Sequence, residues 1–119
     1  MPISASDPVG AALHSALDAL SYRQRVTANN IANADTPNFV AQKVDFESAL
    51  GSAMEDGSYR RGDVTASVTS STAQAGADGN NVDIANETMT AMQSTFTYQL
   101  LSRAAGDRYG LITTAIGGM

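Results

Sequence analysis

The chain contains no cysteine and no tryptophan, which removes disulfide frameworks, thiolate nucleophiles and cysteine metal clusters at once. Its one histidine, His14, excludes a His-based metal site or a Ser/His/Asp arrangement within a single chain. Lys43 is the only lysine, the basic residues are scattered and the net charge is −5, so no phosphate-tracking surface forms and nucleic acid is not expected as a partner. Large side chains are also scarce: three Phe and four Tyr must fill volume in a chain where alanine supplies much of the apolar fraction. At 119 residues this fits one small domain with a modest core, whose stability leans on partners. No apolar run approaches the roughly 20 residues of a membrane span, so direct membrane insertion is not expected. The opening Met1 to Pro8 lacks both a basic region and an unbroken apolar stretch, so no cleavable signal peptide is expected either.

What is present is a pair of helical patterns at the two ends. Asp7 and Pro8 form a start signal, because an aspartate accepts from orphan amides and proline suits the first helical position. From there Leu13, Leu17, Leu20, Gln24, Thr27 and Ile31 recur at alternating spacings of four and three, the seam of a helix packed on another helix. Thr36-Pro37 stops the helix near Asn33 or Ala34, since a residue before proline is pushed out of helical torsions. Such a helix of roughly 26 residues spans about 39 Å, too long to bury one side within a small monomer. A partner helix is therefore expected.

The second pattern starts after the turn Asp78-Gly79-Asn80-Asn81, with Asn81 or Asp83 as cap, and runs to about Ile116. Met89, Met92, Phe96, Leu100, Ala104 and Leu111 give it an apolar stripe. Between the two lie an extended or turn segment from Asp35 to Val44 and a short helix capped by Asp45, with Phe46, Ala49, Leu50, Ala53 and Met54 at helical spacing. Over half of residues 51–80 are Gly, Ser, Thr or Ala, so this connector adds little apolar burial and reads as flexible. Within it Val64, Ala66 and Val68 alternate with polar residues and allow one weak strand. The fold expected is mainly α: long N- and C-terminal helices (1–34 and 81–119) pairing in a coiled-coil-like bundle, with a loop, short middle helix and irregular or weakly β connector between them (35–80).

Reactive constellations are absent. No catalytic residues, cofactor or metal ligands are expected, because the helices hold few carboxylates and none shares a face with a nucleophile. The Asp78–Asp83 run resembles a calcium loop only superficially, with Val82 at a ligand position. Met89 and Met92 beside Phe96 offer an adaptable contact surface, methionine being a side chain that fits irregular partners; the bland alternative is an ordinary helix core. The cluster Asn29, Asn30 and Asn33 is harder to explain as capping, since one helix end uses one or two side-chain caps. Asparagine has donors and acceptors without charge, which suits contacts to backbone groups at the helix end or across a subunit boundary.

The stretch Ala28-Asn-Asn-Ile-Ala-Asn-Ala-Asp-Thr-Pro37, preceded by a leucine-bearing helix and followed by Phe39 and Phe46, resembles the N-terminal motif of bacterial flagellar axial proteins. The short polar middle, Gly79-Asn-Asn-Val-Asp-Ile84 and Tyr98-Gln-Leu-Leu-Ser102 bring it nearest to the basal-body rod members, at the proximal end. Asn38 stands where that family usually has glycine, a mild change because asparagine tolerates positive φ, and Val40 stands where a basic residue is common. The resemblance implies a subunit that is exported without a cleavable signal by the flagellar type III apparatus and assembles helically in the periplasmic rod. Its implied partners are other rod subunits, copies of itself, the rod-to-membrane-ring adaptor and the export apparatus. Residues Leu13, Leu17, Leu20, Ile31, Met89, Met92, Phe96, Leu100 and Leu111 would form the subunit-packing seam, and Asn29, Asn30, Asn33, Thr36, Pro37 and Phe39 the motif loop. The rival reading is a soluble helical chaperone or adaptor of a type III secretion system, with Met89, Met92 and Phe96 lining a client groove.

Overall fold

A computed structural model describes residues 8–61 and 64–117. Helix α1 (Pro8–Ala32) begins at the proline that the sequence marks; Asp7, expected to cap it, lies outside the described residues. Its C-terminal end tightens as Asn33 N–H reaches the carbonyls of both Asn29 and Asn30 at 3.1 Å and Ala34 N–H takes Ile31 O. The chain then turns through Thr36–Phe39, with Asn38 at φ 63°, the left-handed region that asparagine enters at low cost.

Strand β1 (Gln42–Asp45) follows, inside a segment expected only to be extended or turned. It pairs antiparallel with β2 (Ser67–Ser70) in the register Gln42 to Ser70 and Asp45 to Ser67. The weak strand of the connector is thus real, and it forms because Gln42–Asp45 supplies a partner. Helix α2 (Glu47–Asp56) starts where Asp45 Oδ1 accepts Ser48 N–H at 3.1 Å, and ends at Gly57, whose φ of 80° suits a residue without Cβ. A 3₁₀ turn (Ser58–Arg61) completes the middle.

Helix α3 (Ile84–Gly117) opens at Asp83, whose Oδ1 accepts Asn86 N–H at 3.2 Å. Of the two proposed caps Asp83 takes the role, because the Asn81 side chain is engaged elsewhere. Helices α1 and α3 run antiparallel, tied by Gln24 Nε2 to Thr95 Oγ1 at 2.6 Å and by His14 Nε2 with Tyr109 OH at 2.8 Å. Long helices lying side by side give an elongated body of 66 × 27 × 18 Å.

The apolar core does not lie along the α1/α3 seam. It gathers on the flank of α1, where Ala16 and Ala19 meet Phe46, Ala53 and Val64, with Leu50 and Leu101 packed against them. The two alanines leave room on α1 that Phe46 and Ala53 fill, while the 3₁₀ turn and β1 are the middle elements that lie against the helix.

Candidate functional site

Two features stand out: a polar clamp around the asparagine loop, and an apolar stripe without an internal partner. In the clamp, Asn30 is 1% exposed and its amide pairs with the backbone of Gln42, donating to Gln42 O at 2.8 Å and accepting from Gln42 N–H at 3.1 Å. It thereby occupies the outer edge of β1 as a neighbouring strand would. Arg23 does the same two residues on, donating to Val44 O from Nη2 at 2.9 Å while holding Glu47 Oε2 at 2.7 Å. That Arg23 hydrogen bond is the chief reason the Glu47 carboxyl sits below its usual value. Asp45 is lowered as well, first by the Ser48 amide.

The other asparagines divide. Asn33 bonds locally, from Nδ2 to Asn29 O at 2.8 Å, and accepts from Thr36 Oγ1 at 3.1 Å. Asn29, Thr36 and Pro37 are exposed and Phe39 is half-buried. The clamp is closed by two residues that the sequence places in a turn, Asn81 with a further expected role as helix cap. Asn80 Nδ2 donates to Asn33 O and Thr36 O, both at 2.8 Å, and so satisfies carbonyls at the end of α1. Asn81 Oδ1 accepts Ala41 N–H at 2.7 Å while Nδ2 reaches Ser71 O and Ala73 O. The connector is therefore pinned at its return, and its last residues complete the motif loop. Gly79, at φ 81°, passes so close to Asn38 that a Cβ there would run into the Asn38 side-chain amide. The cue was available in Asn80 and Asn81 directly after a glycine turn, a second pair of side chains with uncharged donors.

The expected seam residues part into two groups. On α1, Leu20 is buried, Leu13 and Leu17 are half-buried, and Ile31 lies at the surface. On α3, Met89, Met92, Phe96, Leu100 and Leu111 all face solvent, Phe96 at 62% and Met92 at 69% exposure. Helix α3 turns a different face to α1: Ser94 is buried, and Thr90 and Leu101 are half-buried. The two ends pair as expected, through small polar side chains, and the large apolar ones point outward. Ile31, Met92 and Phe96 border a shallow apolar groove of about 430 Å3. A second groove of about 300 Å3, almost wholly apolar, lies between Val9, Leu13 and Leu20 of α1, Phe46 and Leu50, and Leu101 of α3.

Among the described residues no group of His, Asp and Glu is placed to hold a metal ion, and no helix is long and apolar enough to cross a membrane. What the surface can do is bind other helices by burying apolar area, at roughly 1.5–3 kcal/mol for each large side chain covered.

Known proteins with similar sequences bear on what those partners are. A family model described as "Flagella basal body rod protein" matches residues 12–39, most of α1 together with the asparagine loop. The flagellar basal body rod protein FlgB of Bacillus subtilis is 32% identical over 117 residues, covering 89% of this chain and 91% of that protein. The FlgB proteins of Salmonella typhimurium and Yersinia enterocolitica are 33% and 35% identical, covering 87% and 71% of this chain and 89% and 75% of their own lengths. These relatives support the rod reading and lend the chaperone alternative no support.

Proposed function

Since the chain belongs to the FlgB family of flagellar basal body rod proteins, and is by that membership a structural subunit of the rod, we propose that its outward apolar stripe is the seam completed by neighbouring subunits. The observation that carries this reading is the inversion on α3, where Ser94 is buried and Phe96 is 62% exposed. A monomer that functions alone gains nothing from an exposed row of Met89, Met92, Phe96 and Leu100; a subunit that packs on others buries it.

In this reading subunits stack by a heterologous contact that repeats along a helix, building a stiff tube that transmits torque and encloses a channel for exported proteins. The position is the proximal rod in the periplasm. Its neighbours there are other rod proteins, further copies of this chain and the adaptor joining rod to membrane ring. The chain reaches that site through the flagellar type III export apparatus, unfolded and without signal cleavage, which suits an α1/α3 pairing made largely of small polar residues. Leu13 and Leu17 then serve the seam from the α1 side, with Leu20 buried beneath them, and the clamped loop sets the angle at which α1 leaves the body.

The test is a peptide-level mass-spectrometric search for the chain in purified hook–basal bodies and in the cytoplasmic fraction of the same cells. Retention through stringent washing is the expected result. Absence from the basal body, with a stable cytoplasmic complex, overturns the reading.

A further inference from the structure

The chain carries both halves of an apolar contact on two different faces. One is a ridge on α3, where Phe96 and Leu100 are 62% and 53% exposed and Arg103 follows one turn later on the same stripe. The other is the unfilled groove of about 300 Å3 bordered by Val9, Leu13, Leu20, Phe46, Leu50 and Leu101. The ridge cannot fill its own groove, because α3 presents Thr97 and Leu101 to that groove and Phe96 to a separate one beside Ile31.

Charge reinforces the match. Glu47 stands at the groove rim with its side chain 64% exposed, and its carboxyl is kept ionised by Arg23, which takes Oε2. Oε1 is left to accept a further donor. Arg103 is exposed and has no ion-pair or hydrogen-bond partner among the described residues. A helix laid with Phe96 and Leu100 in the groove carries a guanidinium to the rim, where an Arg–carboxylate pair fixes orientation.

We propose that the occupant of the Val9/Leu13/Phe46/Leu50 groove is the Phe96–Leu100–Arg103 ridge of a second copy of this chain. The inference rests on the rod-subunit reading above and specifies the contact between like subunits. Because ridge and groove are different patches, the contact is head-to-tail: each copy still offers a free groove at one end and a free ridge at the other, so the chain of contacts extends instead of closing into a two-fold dimer.

The chain has no cysteine, so introduced thiols report without background. Two variants are made in the same cells, Phe96→Cys and Val9→Cys, both at exposed positions where the fold is spared. Basal bodies are isolated, oxidised and digested, and the mixed disulfide between the two variants is sought by mass spectrometry. A link between them, lost when Arg103→Glu is added to the Phe96→Cys chain and kept with Arg103→Lys, is the expected result. Both variants present in basal bodies with no link between them overturns this contact and leaves the rod reading standing. Absence of the unsubstituted chain from basal bodies overturns the rod reading and this contact with it.

Discussion

The asparagine loop and the outer face of α3 treat their surfaces in opposite ways. Around the loop the buried side-chain polar groups meet partners from the same chain: Asn30 closes the edge of β1, Asn80 donates to the carbonyls of Asn33 and Thr36, and Asn81 ties Ala41 to Ser71 and Ala73. No buried side-chain nitrogen or oxygen of the described residues is left unpaired. Along α3 the large apolar side chains meet solvent. One region is finished by folding, and the other, in the reading proposed above, by assembly. Substitutions in the first should cost stability, and substitutions in the second should cost incorporation with the fold intact.

The largest expected loss is at Phe46, 5% exposed and at the centre of the core, where Phe46→Ala should destabilise by about 3–5 kcal/mol in chemical denaturation. Asn30→Ala strips Gln42 of both its bonds and should cost about 1–3 kcal/mol, with amide exchange accelerating first in β1. Gly79→Ala should lose a similar amount, about 1–3 kcal/mol, from a side chain forced to φ 81° against Asn38. A smaller effect belongs to Glu47. Its folded carboxyl titrates below the usual 4.5, so the stability it brings is present above that value and fades as pH falls through the lower folded one. With its side chain mostly exposed, about 0.2–1 kcal/mol is at stake, and Glu47→Gln should flatten the acid limb of the stability profile. Should Phe46→Ala and Phe96→Ala destabilise equally, the distinction between the two regions fails.

Much of this division is legible in the sequence. Pro8 marks the start of α1 and Thr36-Pro37 puts its end at Asn33 or Ala34, within two residues of the observed Ala32; Asp45 and Asp83 each accept a first-turn amide of the helix that follows, and the helical period at both ends announces two long helices. What stayed hidden depends on contacts distant in sequence. Strand β1 exists only because β2 and the Asn30 amide pair with it, and Gln-Lys-Val-Asp has no alternation to announce it. The roles of Asn80 and Asn81 needed the position of residues some 40 places earlier. Periodicity found the stripe on α3 but not its direction, since the face turned inward carries Thr90 and Ser94, side chains that a hydrophobic pattern passes over, with Leu101 the large apolar residue that joins them.

The smallest expected effect on folding is at Phe96, where Phe96→Glu should leave stability within about 0.5 kcal/mol of the parent. That makes it the most direct probe of a face reserved for neighbours: the amount of Phe96→Glu chain retained in washed hook–basal bodies, against the unsubstituted chain made at the same level. Near-absence from basal bodies, in a variant that melts with its parent, is what an intersubunit seam predicts. Normal retention would contradict it.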